Sequence, residues 1–395
     1  AYGEELGGAV GEGLDVVVLD HHTQPANVPN ASAIINPVFD DEQYPFREHA
    51  SAGLVFTVVR ALLQSTHNGT DLAHPLPEGW EKWLLDIVAI ATVADMMPIR
   101  GENRLFVHYG LKVLAKTRRP GLRALLSLAG ISLAEVDEVT LGIHIGPRLN
   151  AAGRLQHAST AVRLLLTKDP EEAERVAKEL QQLNDDRKKL TEHATDEAWE
   201  QIHKLGEAQG YAVFAPHWSA GVLGLIAGRL ADRLGRPVFV MTDNDGSIVG
   251  SGRAGGNLDI MEIMNAGKDH FEKYGGHTGA CGFTLKSEVT PQQFHEWVVQ
   301  YLAEHHPVVE PKTLPLDIEM TLAELTAETL AAIDQLAPFG LSATRPIIYL
   351  RGIDVRDVQR VGATQQHLRL KVHGHGITRA AIGFRLGDRH ASVVG

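Results

Sequence analysis

The sequence predicts a mixed α/β protein, built as two α/β units joined by one long helix and followed by a small β-barrel. Three observations predict it. Short apolar runs alternate with stretches of helical period up to about Leu166, and again from Tyr211 to Leu285. Between them, apolar residues keep a helical spacing over about 36 positions, roughly 54 Å of helix, which reads as a connector. Beyond Pro315, several short strand-like runs with little helix suggest a barrel.

In the first unit, Val16–Leu19 and Ala33–Ile35 are expected strands. Ala52–Gln64, Trp80–Val93, Arg104–Ala115 and Ser159–Leu166 are expected helices. The long helix should start at Asp169, an N-cap followed by Pro170 at the first helical position and Glu172 three residues on. Its apolar face runs through Ala173, Val176, Leu180, Leu183, Leu190, Ala194, Ala198 and Ile202. In the second unit, Tyr211–Ala215, Val238–Met241, Ser247–Gly252 and Phe283–Leu285 read as strands, Val222–Leu234 and Met261–Tyr274 as helices. Asn244-Asp245-Gly246 signals a tight turn. The three prolines of His306–Pro315 mark a linker. Leu316–Met320, Pro346–Val355, Leu368–Val372 and Ile377–Phe384 are then strands, with one helix near Ala323–Leu336. The domain limits that follow are 1–167, 168–208, 209–305 and 306–395. The chain begins at Ala1, close to a strand, and stops at His390–Gly395, which reads as a strand just starting, so a fragment is expected.

A chain of 395 residues is too long for one ordinary core, and 44% hydrophobic with 22% charged residues is ordinary for a globular protein. No apolar run reaches the roughly 18 residues that span a bilayer, and no signal peptide is visible, so no membrane is expected. The single cysteine, Cys281, excludes an intrachain disulfide, fits a reducing cytoplasm and reads as a packed small residue. The net charge of −12 argues against broad electrostatic binding of nucleic acid, but leaves room for local positive charge or bound metal ions.

Four segments carry candidate chemistry. Asp20-His21-His22 ends an apolar strand, and a carboxylate with two imidazoles suits Mn²⁺, Mg²⁺, Fe²⁺ or Zn²⁺. Neighbours on an extended chain point to opposite faces, so all three can share one ion only if the backbone turns there. A polar loop is the plainer reading. Asp95 closes an apolar helix before Pro98; it needs a metal or a partner, and Arg100 and Arg104 are available. Gly146-Pro-Arg-Leu-Asn-Ala-Ala-Gly-Arg154 places two arginines and Asn150 among small residues, a phosphate cradle or a loop with surface arginines. Val249–Gly256, with Arg253, and Tyr274–Gly282, with His277, read as glycine-rich turns, or as anion nests of backbone N–H groups.

In order, these motifs resemble the DHH phosphoesterase superfamily and, within it, the RecJ family of bacterial single-strand-specific exonucleases. The resemblance rests on LDHH at Leu19–His22, TVADMMPIRGENR at Thr92–Arg104, GPRLNAAGR at Gly146–Arg154, GSGRA at Gly250–Ala254, GGHTGACGFT at Gly275–Thr284 and LAPFG at Leu336–Gly340. It implies a DHH-type parallel-sheet domain, a long helix, a DHH-associated domain and an oligonucleotide-binding (OB) barrel. It also implies 5′-to-3′ hydrolysis of single-stranded DNA to mononucleotides in DNA repair and recombination, with Mn²⁺ or Mg²⁺, as a pair of ions. By the resemblance His21 and Asp95 are metal ligands, and Asp20 and His22 are ligands or acid–base supports. Arg154, Ser251 and Arg253 contact the 5′-terminal phosphate, His277 the scissile or neighbouring phosphate, and Asn150 supports that region. Single-strand-binding protein and helicases are candidate partners.

The family's Asp-x-Asp-x-Asp-Gly stretch, expected upstream of Asp20, is not in the sequence, and Ser342–Arg345 departs from the segment that usually follows LAPFG. Two alternatives stand beside this reading. One is a DHH phosphodiesterase for short oligonucleotides or cyclic dinucleotides, which needs no barrel. The other is a non-catalytic single-strand-binding module that keeps the fold without the metals. Removing the barrel should abolish activity on long strands only, if the exonuclease reading holds.

Overall fold

The computed structural model describes residues 3–24, 27–39, 43–67, 76–306 and 313–394. In chain order the elements are α1 (Gly3–Gly11), β1 (Val17–Leu19), β2 (Ala33–Ile35), α2 (Ser51–His67), a 3₁₀ turn (Trp80–Leu84) leading into α3 (Leu85–Ala94), α4 (Gly101–Leu114) and α5 (Pro120–Leu128). A π-helical segment (Thr140–Ile145) runs into α6 (Gly146–Leu155), followed by α7 (Ser159–Leu166) and α8 (Pro170–Leu205). Then come β3 (Tyr211–Phe214), α9 (Leu223–Leu234), β4 (Val238–Asn244), β5 (Ser247–Arg253), α10 (Ile260–Ala266), β6 (Phe271–His277), β7 (Ala280–Leu285) and α11 (Pro291–His305). The last elements are β8 (Ile318–Met320), α12 (Ala327–Asp334), β9 (Ile348–Leu350), β10 (Asp354–Val361), β11 (His367–Gly374), β12 (Ile377–Gly383) and α13 (His390–Val394).

The chain forms two compact units, one of Ala1–Leu111 with Leu314–Gly395, the other of Lys112–Thr313. In the first unit β1 and β2 pair in parallel, Val17 opposite Ala33 and Leu19 opposite Ile35. Both strands therefore end on the same side, where Asp20 and Asn36 follow. The helices α2 and α3 pack on each other, and Leu54, Phe56, Val88 and Ile90 on them are buried. In the same unit β10, β11 and β12 make an antiparallel meander, and β8 pairs with β9 in parallel. The expected small barrel thus consists, among the described residues, of two separately hydrogen-bonded sheets.

The second unit is built on a five-stranded sheet of order β3-β4-β5-β7-β6, parallel only between β3 and β4. The faces are sorted by alternation. Val213, Val238 and Val240 pack with Ala194, Ala198 and Ile202 of α8 and with Ile226 and Leu230 of α9. Phe239, Met241, Phe271 and Phe283 pack on the other side with Ile263 of α10 and Phe294, Val298 and Leu302 of α11. The earlier half of α8 buries Ala173, Val176, Ala177 and Leu180 and packs on α5, α6 and α7. As expected, α8 is one helix of 36 residues, capped by the Asp169 carboxylate on the Glu171 N–H; all of it lies in the second unit.

Several expectations are corrected. Met261–Tyr274 is not one helix: Gly267 stops α10, its N–H bonded to the Ile263 carbonyl, and Phe271 starts β6. The terminal Val393-Val394 pair does not open a strand, because it continues the helical turn begun at Gly387. The start is helical before β1. Leu190, placed on the buried face of α8, is 46% exposed. Of the expected linker, residues 307–312 lie outside the described residues. Asp245 and Gly246 both take positive φ between β4 and β5, and Asp243 accepts from the Gly246 N–H, the two-residue hairpin turn that Asn244-Asp245-Gly246 signals. Among the described residues no helix is long and apolar enough to cross a membrane.

Candidate metal centre and phosphate site

The first group of candidates stands where β1 ends. The chain does turn there: the Asp20 carboxylate accepts the backbone N–H of His21 at 2.8 Å and of His22 at 3.4 Å. The same oxygen lies 2.7 Å from His22 Nδ1. One ligand atom each from Asp20, His21 and His22 then fall within 4.8 Å of one another. Asn36, buried just past β2, holds the turn from below by donating to the His22 carbonyl at 2.8 Å.

His21 is fixed at both ring nitrogens. Its Nδ1 is 2.8 Å from Ser51 Oγ, at the start of α2, and its Nε2 is 3.1 Å from Asp95 Oδ2. The Asp95 carboxylate raises the His21 pKa through that hydrogen bond, against burial. Burial pushes the Asp20 carboxyl up, yet the His22 side chain and the two backbone N–H groups hold it below the usual carboxylate range.

Asp95 is delivered by the way α3 stops. Met96 lies in the left-handed region at φ 56°, its N–H bonds to Val93 and the Met97 N–H to Thr92, which closes the helix as a Schellman motif with methionine where glycine is usual. Asp95 is paired with neither of the arginines on offer. Arg100 pairs with Glu48, and Arg104 donates to the carbonyls of Leu336, Ala337 and Pro338. The Ile99 N–H also bonds to Leu341 at 2.7 Å, so the LAPFG segment is tied directly to the segment that follows Asp95. The gathered Asp20, His21 and His22, with the half-exposed Asp95 carboxylate against His21 Nε2, offer imidazole and carboxylate donors that suit a divalent first-row ion or Mg²⁺. The oriented Nδ1 of His21 matches the support that metal-binding histidines take from their other ring nitrogen.

The second group lies in the other unit. The GPRLNAAGR segment is helix α6, not a loop: Ala151 and Ala152 are fully buried, and the small residues allow α6 to pack closely on α8. Arg148 is structural, bonded to Gln181 and to the His144 carbonyl. Arg154 is half-buried at the end of α6 and donates to the Gly221 carbonyl at 3.2 Å, while Asn150 is exposed. Gly250 and Gly252 form no anion nest. They sit inside β5, paired to β4 and β7, where a Cβ would meet the Phe283 ring at 2.2 Å and Cys281 Sγ at 2.6 Å. Gly275 and Gly276 likewise lie in β6. Ser251 and Arg253 are half-buried and 3.3 Å apart, Ser251 donating to the Cys281 carbonyl. His277 ends β6, exposed, with the Gly279 N–H on its Nδ1. Cys281 is buried and its thiol is pushed up to about 12 by burial, so it packs and is no nucleophile.

Family models match residues 208–304 as a DHHA1 domain and residues 316–394 as a RecJ OB domain. A Bacillus subtilis protein named single-stranded-DNA-specific exonuclease RecJ is 34% identical over 390 residues, covering 97% of this chain and 47% of that protein. The RecJ of Haemophilus influenzae is 30% identical over 395 residues, covering 96% of this chain and 68% of that protein. The chain belongs to the RecJ family. RecJ from Thermus thermophilus, crystallised in complex with Mn²⁺, superposes with a TM-score of 0.80 at 25% identity, covering 96% of this chain and 59% of that one. The mixed α/β architecture with DHHA1 and OB domains is that of RecJ. Against most of its curated relatives, this chain spans about half to two thirds of their length.

Sequence reasoning missed Asn36, Ser51 and Arg104 as parts of the site. Arg104 stands in the quoted TVADMMPIRGENR motif, which was its signal. Asn36 and Ser51 had none beyond their places at the end of a strand and the start of a helix.

Proposed function

We propose that the chain is the part of a metal-dependent exonuclease that degrades single-stranded DNA from its 5′ end to mononucleotides, in repair and recombination in the cytoplasm. The observation that carries the reading is the gathering of Asp20, His21, His22 and Asp95 in a chain whose relatives are named single-stranded-DNA-specific exonucleases. In this reading those four side chains hold Mn²⁺ or Mg²⁺, two ions in all. Bound ions would supply an activated water and charge stabilisation for the leaving oxygen.

The chain's own residues do the rest. Ser51 on Nδ1 of His21 leaves Nε2 facing Asp95, so one imidazole is presented in a fixed orientation. Asp20 orients His22 and, being held ionised, keeps a lone pair free at neutral pH. Arg154, Ser251 and Arg253 receive the 5′-terminal phosphate, which sets polarity; guanidinium forks fit phosphate oxygens. His277 contacts the scissile or a neighbouring phosphate, and Asn150 supports that region. The OB segment holds the strand by stacking and backbone contacts, for which Phe384, 72% exposed, is the most available aromatic. Single-strand-binding protein and helicases are the proposed partners. The proposed domain limits are 1–167, 168–208, 209–305 and 306–395.

A time course with Mn²⁺ on single-stranded oligonucleotides labelled at either end tests the reading. The 5′ label should appear first, as mononucleotide, while the 3′-labelled strand shortens gradually. Mononucleotides released first from the 3′ end would overturn it.

A further inference from the structure

We propose that Asn103 is a positioning residue of the metal centre: its buried amide holds the chain before Ser51 and the chain after Asp95 at the separation at which both grip His21. The inference rests on the reading of Asp20, His21, His22 and Asp95 as the metal centre and deepens it.

The two supports of His21 come from different elements. Ser51, 2.8 Å from Nδ1, opens α2, and Asp95, 3.1 Å from Nε2, follows the end of α3. The imidazole ring is rigid, so it meets both only while those two helix ends keep a set distance.

Segments 44–49 and 98–103 meet along a seam that sets this distance. Asn103, in the first turn of α4, is fully buried. Its Nδ2 donates to the Glu48 carbonyl at 2.5 Å and to the Pro98 carbonyl at 3.1 Å. Glu48 lies three residues before Ser51, and Pro98 three residues after Asp95. One amide therefore ties both supports together. Its neighbours are acceptors, which requires the NH₂ group between them. Other contacts follow the same seam. His49 Nε2 is 2.8 Å from Glu102 Oε2, and the Tyr44 hydroxyl donates to Glu102 at 3.0 Å. Gly101, at φ 51°, admits the Phe46 ring, which a Cβ there would meet at 2.5 Å. Arg100 pairs with Glu48 at the surface, where an ion pair constrains little.

Stability alone does not account for this seam. Asn103 Oδ1 and His49 Nδ1 are buried with no hydrogen-bond partner. Each such atom is unfavourable, and an apolar seam would avoid both. What the amide offers instead is direction, because two carbonyls on one NH₂ group fix a spacing that apolar packing leaves free. A metal-binding histidine needs that, since its orientation is set by what its other ring nitrogen meets.

The test is Mn²⁺ affinity, read by electron paramagnetic resonance of free aqueous Mn²⁺ at a temperature where circular dichroism shows every variant folded. Asn103→Ala should weaken binding about tenfold, the lower end of the loss when an outer support of a metal ligand is removed. Asp95→Ala is the reference. Because Asn103 acts by placing Asp95 against Ser51, Asn103→Ala should add nothing further in the Asp95→Ala background. A merely structural asparagine would lower the melting temperature and leave Mn²⁺ affinity unchanged. That result would overturn the inference, and so would a loss that adds fully to that of Asp95→Ala. Should Asn103→Ala fail to fold, Asn103→Ser, which keeps one donor, should bind about threefold more weakly, half of tenfold on a free-energy scale; unchanged affinity there overturns the inference. If Asp95→Ala weakens binding and the Asn103 variants do not, the metal-centre reading stands and the inference falls. If Asp95→Ala binds Mn²⁺ as the unmodified chain does, that reading falls with it.

Discussion

At the scale of residues, Met96 and His49 show how local chemistry is set. Met96 occupies a left-handed conformation that costs a non-glycine residue about 1 kcal/mol. Met96→Gly should therefore raise stability by about 1 kcal/mol in urea unfolding; a loss would show that the exposed methionine side chain makes a stabilising contact of its own. His49 is buried, with Nε2 2.8 Å from Glu102 and Nδ1 without a partner, so a second ring proton has nowhere to bond. Burial holds its pKa below 6.5, with Glu102 opposing. The folded pKa is depressed for a base. Stability is then fully present above pH 6.5, the unfolded value, and is lost as pH falls from there toward the folded pKa. The urea midpoint should drop between pH 7.5 and pH 5.5, and His49→Gln should flatten that slope; an unchanged slope would assign it to other groups. Asp20-His21-His22 was legible because three potential ligands of two types stood together in the sequence. Ser51 and Asn36 were not, since their roles exist only once α2 and β2 are packed beside β1.

At the scale of elements, α8 and the Asn244–Gly246 hairpin were legible because each is specified locally, by a cap, a period or a turn pair. The glycine motifs were not. Whether a glycine serves a turn or lets a phenylalanine ring from the paired strand fill the place of its missing Cβ depends on strand pairing, as Gly250 beside Phe283 shows. The link between LAPFG and the Asp95 segment was also invisible. Arg104 donates to Pro338 at 3.0 Å and Ala337 at 3.3 Å as well as to Leu336, and Gly340 packs on Ile99. Arg104→Ala should destabilise the chain by about 1 kcal/mol, the scale for a charged donor lost from part-buried and exposed carbonyls, and Arg104→Lys should restore only part of it. Equilibrium unfolding checks both; wild-type stability in Arg104→Ala would remove the link. The same wiring revises an expectation. Deleting Lys312–Gly395 removes the acceptors for Arg104 and Ile99, so it should impair the Asp95 segment and activity on short strands as well as long ones.

At the scale of the whole molecule, the order of the segments was readable from sequence, but their grouping was not: Leu314–Gly395 clusters with Ala1–Leu111, a contact pattern no local signal encodes. A net charge of −12 is compatible with the proposed nucleic-acid substrate because the half-buried Arg154 and Arg253 bond to carbonyls and a hydroxyl and, among the described residues, to no carboxylate. The central claim is that Asp20, His21, His22 and Asp95 hold a divalent ion. The most direct measurement is a Mn²⁺ titration of the chain followed by electron paramagnetic resonance, which reads free aqueous Mn²⁺. The chain should remove Mn²⁺ from solution, and His21→Ala and Asp95→Ala should each weaken that binding by about tenfold or more. Equal Mn²⁺ affinity in the chain and both variants would contradict the claim.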